Sequence, residues 1–309
     1  MTDVLDLDDG YRALREDVAG VRLPRDVVVV TGPDAVTYLQ GQLSQDVAGL
    51  AVGASAWSFL LSPQGKVDAW LRLTRLDDER VVLDADAGIG EVLLARLERF
   101  KLRTKADLEL QVGWSCVAVR GPRAGTVAID RTTAVVVAPV AWPGGVVGAD
   151  LVGPDPAVPV AVPLAPVEAL DAVRIECGVP VVGRELHADT IPAEAGAWVI
   201  DASVSFTKGC YTGQELVARI DSRGGHVPRP VRALVLGEGV VPDHLPPVGA
   251  VVVAGDQEAG ALTSVAWSPG HGTAVALAPL ARAVEPPVAV EVAWEGTRRP
   301  ARVVELPIT

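Results

Sequence analysis

The sequence predicts an α+β protein that closes with a small antiparallel β-barrel. Residues 230–309 fall into short β-rich runs parted by frequent turns, the spacing of such a barrel. Residues 55–84 read as a β-meander. Between them, Ile89 to Phe100 carries Ile89, Val92, Leu93, Leu97 and Phe100 on one helical side.

Taken in order, Tyr11, Leu14 and Val18 form a first helical stripe, and Asp26 to Thr31 is a short strand. Gly32-Pro33 opens a second helix, with Pro in the first turn and Val36, Leu39 and Leu43 at helical spacing. In the meander, Ser55 to Leu61 leads into the turn Ser62-Pro63-Gln64-Gly65, then into strands Lys66 to Leu73 and Arg80 to Asp84. The helix ending at Phe100 runs into Arg96, Arg99, Lys101, Arg103 and Lys105, read as cations that complement a helix C-terminus, or else as an anion site. Trp114 to Val119 and Ala134 to Val140 are further strands, and the prolines of 153–166 mark a linker. A helix from Pro166 carries Val167, Leu170, Val173, Arg174 and Cys177 and stops at Gly178, with Cys177 as core packing. Glycines and prolines at 221–229 read as a domain exit, which divides the chain into 1–228 and a barrel at 229–309. Barrel strands are expected at Val231–Leu236, Gly249–Ala254, Ala259–Trp267, Thr273–Leu277, Val288–Trp294 and Ala301–Leu306.

The net charge of −12 over 309 residues argues against general binding to nucleic acid or anionic membrane. No apolar run approaches the roughly 18 residues that span a bilayer. The acidic start Met1-Thr2-Asp3-Val4-Leu5-Asp6 lacks a basic n-region, so a cytoplasmic protein, taken as a monomer, is expected. Cys116, Cys177 and Cys210 form no Cys-x-x-Cys pair and the four histidines no His-x-x-x-His pair, so no metal site is expected.

The chemistry concentrates in Lys208-Gly209-Cys210-Tyr211-Thr212-Gly213-Gln214-Glu215. Leu216, Val217 and Ile220 share one face of a helix that follows, and Thr212 with Glu215 fits a capping box. Cys210 is then expected just before a helix N-terminus, where the dipole and the Lys208 ammonium favour a thiolate. The plainer reading is an inert small hydrophobe beside a glycine turn. Only four of the 27 basic residues are lysines, Lys208 and Lys66 among them.

Lys208 to Glu215, followed by Arg219, resembles the signature of the YgfZ-type folate-binding proteins, relatives of the glycine cleavage T-protein linked to iron–sulfur cluster maturation. Gly32 to Gln42, with Gln40 in a Leu-Gln-Gly, and Ser62 to Lys66 resemble earlier segments of that family. Arg120-Gly121-Pro122 resembles a T-protein loop. Arg174-Ile175-Glu176-Cys177-Gly178, then Ile191-Pro192-Ala193-Glu194-Ala195-Gly196, is similar to the T-protein Arg-x-Glu-x-Gly and Pro-x-Glu-Ala-Gly pattern. The resemblance implies a three-lobed ring around a folate channel, the last lobe being the barrel. It implies tetrahydrofolate or a one-carbon derivative as ligand, with Glu194 pairing the pterin edge and Arg174, Tyr211, Gln214, Glu215 and Arg219 as further binding residues. A carboxylate suits an aminopyrimidine edge because it accepts two parallel hydrogen bonds.

One departure stands out: Asp84 occupies a strand end where the T-protein pattern has asparagine. The resemblance therefore implies a folate-binding accessory protein, with Cys210 and Lys208 as the reactive pair and iron–sulfur enzymes or assembly proteins as partners. The alternative is a tetrahydrofolate-dependent aminomethyltransferase or demethylase. A thiol enzyme with His187 or His226 as base is a third reading, and neither histidine lies in a recognisable motif.

Overall fold

One strand of thirteen residues joins the two halves of the larger sheet in the computed structural model, which describes residues 4–308. The chain begins with α1 (Leu7–Glu16), whose N-cap Asp6 accepts the Asp9 amide at 2.8 Å, and enters that long strand, β1 (Ala19–Thr31). There follow α2 (Ala35–Gln42), β2 (Ser55–Leu61), β3 (Val67–Arg75), β4 (Arg80–Asp86) and α3 (Gly90–Arg99). Next come β5 (Asp107–Gln111), β6 (Ser115–Arg120), β7 (Val136–Trp142) and β8 (Val146–Gly153). Three helices follow, α4 (Val167–Cys177), α5 (Ala197–Ser203) and α6 (Gln214–Asp221).

In β1, Ala19 to Pro24 pair with β6, while Arg25 to Thr31 pair with β4 and Val27 to Thr31 with β5, all antiparallel. The switch falls at Pro24, which has no N–H to give a ladder. Successive side chains of β1 serve opposite faces: Val27 joins the central core, whereas Val28 and Val30 join the core beneath α2 and α3. Buried α4 lies in the central core with α1 and the barrel, and it ends at Gly178, whose φ of 73° is the left-handed cap the sequence predicted.

The barrel strands are β9 (Val231–Leu236), β10 (Val251–Ala254), β11 (Gln257–Ala261), β12 (Ser264–Ser268), β13 (Thr273–Pro279), β14 (Val288–Trp294) and β15 (Thr297–Val304). They run β11-β10-β14-β15-β9-β13-β12, and a bridge between Gly260 and Leu280 ties the first strand back to the end of β13. Alternate residues such as Leu234, Val252, Ala276 and Val292 fill its interior.

The expected mixed fold with its terminal barrel is present. The structure differs from the expectations locally. The run Ala259–Trp267 is two strands, and β5, β8 and α5 were not among the expected elements; β5 alternates Leu108 and Leu110 with polar residues, but over only five positions. Val92, expected on the inner side of α3, is 55% exposed. Thr212 is not the cap of α6: Gly213, at φ 81°, holds that position without a side-chain bond. Among the described residues no helix is long and apolar enough to cross a membrane.

Candidate functional site

Cys210 is exposed, on a loop held at both flanks. The Lys208 ammonium donates to the carbonyls of Gln40, Leu43 and Gln45 at 2.6, 2.7 and 3.0 Å, at the C-terminal end of α2. Those are all three of its donors, so Lys208 works as a clamp on the loop. Burial pulls its pKa down to about 8. Its charge lies 5.1 Å from the Tyr211 ring, and Gln214 Oε1 accepts the Tyr211 amide at 3.2 Å. Cys210 precedes the first residue of α6 by four positions, beyond the first turn where a helix dipole acts.

The turn of the β2–β3 hairpin packs against the start of α6. A Cβ at Gly65 would lie 2.5 Å from Leu216 Cβ, and one at Gly213 would lie 2.5 Å from the Ser62 carbonyl. Both glycines also have positive φ, 78° and 81°. Lys66 donates to the Asp189 carbonyl at 2.7 Å, tying the turn to the segment that leads to Glu194. Gln40 caps the turn after α2, where its Oε1 accepts the Val47 and Ala48 amides. The Gly32–Gln42, Ser62–Lys66 and Lys208–Glu215 stretches, far apart in sequence, thus converge on one corner.

A central cavity of about 400 Å³ lies among β1, β3, β4, β6 and α4. Trp57, Trp70 and Trp142 line it, with Arg25, Arg120 and Arg174. Trp57 stacks on Trp70 at 4.3 Å, and Trp198 meets Trp70 edge-on at 6.5 Å. Behind these walls runs a buried lattice of charge. Arg25 and Arg72 both donate to Asp84, Arg72 and Arg120 both donate to Asp150, and Arg25 also reaches Asp86. Burial opposes the Asp150 charge, yet the guanidiniums of Arg120 and Arg72 outweigh it and hold the carboxyl well below its usual range. Asp84, fully buried, is the common acceptor for two guanidiniums, which is the physical reason for a carboxylate at this strand end. Cys116 lies in the cavity wall, and burial pushes its thiol far up.

Of the residues singled out from sequence, Arg174 lines this cavity, whereas Glu194, Tyr211, Gln214, Glu215 and Arg219 do not. The Arg174 guanidinium is held by Asp171 at 2.5 Å, the Val179 carbonyl at 3.0 Å and Ser264 of the barrel at 2.7 Å. Glu176 likewise receives Tyr11 at 3.0 Å and Ser268 at 2.5 Å, so the Arg174–Glu176 pair locks α4 to α1 and β12. Glu194, nearly buried, accepts the Ile191 amide at 2.9 Å and the Arg229 amide at 3.3 Å. Its segment stands one residue back from the cavity: Trp198, which follows it, meets the lining residue Trp70 edge-on. Among the described residues Glu215 and Arg219, both exposed on α6, form no ion pair with each other. Cys177 is core, with burial raising its thiol to about 12. Sequence reasoning missed Arg25, Arg72, Asp150 and the indoles, and noticed Arg120 only as part of a loop. A signal was there: arginines inside runs such as Leu71-Arg72-Leu73 have to find buried partners.

Comparison with known proteins adds the following. Residues 231–309 match the glycine cleavage T-protein C-terminal barrel domain. A tRNA-modifying protein YgfZ of Edwardsiella ictaluri is 30% identical over 64% of this chain and 65% of its own length. An aminomethyltransferase of Bordetella petrii is 29% identical over 91% of this chain and 81% of its own. The structure of glycine cleavage system aminomethyltransferase T from Bartonella henselae superposes with a TM-score of 0.79 at 21% identity, covering 98% of this chain and 89% of that one, which establishes a shared fold.

Proposed function

Because the chain belongs to the YgfZ-type, glycine cleavage T-protein-like family, we propose that it is a tetrahydrofolate-binding accessory protein for iron–sulfur enzymes, with Cys210 as its working thiol. The central cavity carries the folate part of this reading. A flat ring with polar edges suits walls that combine indole faces with fixed charges. Trp57, already stacked on Trp70, offers a face for such a ring. Arg184, 45% exposed at the cavity wall, suits a carboxylate tail. Glu194, which does not line the cavity, is the proposed partner of a pterin edge that reaches past the Trp70 wall toward its segment, since each of its oxygens keeps a lone pair after meeting one amide. Bound tetrahydrofolate supplies a one-carbon carrier.

The accessory role rests on the exposure of Cys210 and on the clamp that fixes its loop. A lone cysteine cannot hold a cluster, so any iron contact is shared with ligands of a partner. Calorimetric titration with tetrahydrofolate under anaerobic conditions tests the folate part. The wild type is expected to bind, Glu194→Ala and Trp57→Ala to bind at least ~10-fold more weakly, and Cys210→Ala to bind like wild type. No heat with the wild type sinks the folate reading. Unchanged iron–sulfur enzyme activities in cells carrying Cys210→Ala sink the thiol reading. The aminomethyltransferase relative that aligns over 91% of the chain favours a second reading, a one-carbon transferase, which requires folate-dependent turnover of an aminomethyl or N-methyl donor.

A further inference from the structure

Beside the Cys210 loop, a cavity of about 340 Å³ opens between the Ile191–Ala193 segment, α5 and α6. Ile191, Ile200 and Val217 form its apolar wall, together with Phe206, a large side chain left 51% exposed. Two exposed carboxylates, Asp201 on α5 and Asp221 at the end of α6, complete the lining, which holds no Lys, Arg or His. An apolar hollow whose charged lining groups are both carboxylates is complementary to an apolar side chain next to a cation.

We propose that this groove docks a segment of a partner protein that presents an aliphatic or aromatic side chain beside an arginine or lysine. The proposal rests on the accessory-protein reading and deepens it. Phe206 and Cys210 belong to the same clamped loop, so a segment seated on Phe206 brings the partner to the thiol. The groove is separate from the central cavity, and the two share no lining residue.

The test uses a fluorescein-labelled peptide with arginines flanking Leu-Trp, a counterpart with glutamates in their place, and fluorescence anisotropy on the full chain. The wild type is expected to prefer the basic peptide by at least ~10-fold. Asp201→Asn combined with Asp221→Asn, and separately Phe206→Ala, each weaken it by about 10-fold. Asp256→Asn combined with Glu258→Gln removes the same charge from the exposed β10–β11 hairpin and leaves binding unchanged. Equal loss in that control pair, equal binding of the acidic peptide, or no binding of the basic peptide overturns the proposal. Tetrahydrofolate titration of the same proteins separates the two readings: folate binding without peptide selectivity removes the groove alone, and peptide selectivity without folate binding removes the folate reading alone.

Discussion

Replacing Asp84 by asparagine keeps the shape of the side chain and removes its charge. Asp84 is fully buried and accepts from Arg25 Nη2 at 2.6 Å, Arg72 Nη2 at 2.9 Å and Arg72 Nε at 3.0 Å. An asparagine keeps one oxygen and turns two N–H donors toward guanidiniums that have nothing to accept with. Each charge pair is worth about 4 kcal/mol at ~4 Å and an effective dielectric of ~20. Removing one partner of a buried pair costs about 3–5 kcal/mol, because the remaining charge stays buried without compensation. Asp84→Asn is therefore expected to lower unfolding stability by about 3–5 kcal/mol in urea titration followed by circular dichroism. Adding Arg72→Met should recover part of that loss, since it withdraws one of the stranded charges. A loss below about 1 kcal/mol, with no recovery in the double variant, would refute the lattice as described.

Further outcomes follow from the clamp, the glycines and the phenols. Lys208→Met leaves the Gln40, Leu43 and Gln45 carbonyls without their donor, so the Thr212 amide, bonded to Gly41 at 3.1 Å, should exchange faster with deuterium; unchanged protection counts against the clamp. Gly213→Ala meets both a positive φ and the Ser62 carbonyl and should cost at least ~1–2 kcal/mol. Gly209→Ala, with nothing within 4 Å of the added Cβ, should stay within about 0.5 kcal/mol, and equal effects at the two sites would sink the packing account. The three tyrosines, Tyr11, Tyr38 and Tyr211, all have pKa values raised from 10.0 to about 12, burial being the leading cause. The folded chain thus binds more protons than the unfolded chain above pH 10. The stability this confers is full below pH 10 and is lost as pH rises toward 12. Ultraviolet titration should show almost no tyrosinate at pH 10 while the chain stays folded, and half-ionised phenols at that pH in folded protein would contradict the burial.

The sequence by itself determined the class of fold and much of its outline. The ends of β2, β9 and β14 were legible because alternation and turn residues are local signals. Gly178 at the end of α4 was legible for the same reason, a left-handed cap that favours glycine. The Lys208–Glu215 stretch announced itself by composition, yet its local reading misplaced both cap and charge. Whether Thr212 or Gly213 caps α6 depends on the hairpin turn packed against it, and whether Lys208 faces Cys210 depends on the carbonyls at the end of α2. The central cavity belongs wholly to the tertiary structure. Arg25, Arg72, Arg120, Asp84 and Asp150 come from five strands, and no local pattern tells which partner each will meet. Only the antiparallel pairing of β1 with β4 and β6, of β3 with β4 and of β6 with β8 brings them within hydrogen-bond reach, and buried charge is tolerated only when such partners arrive together.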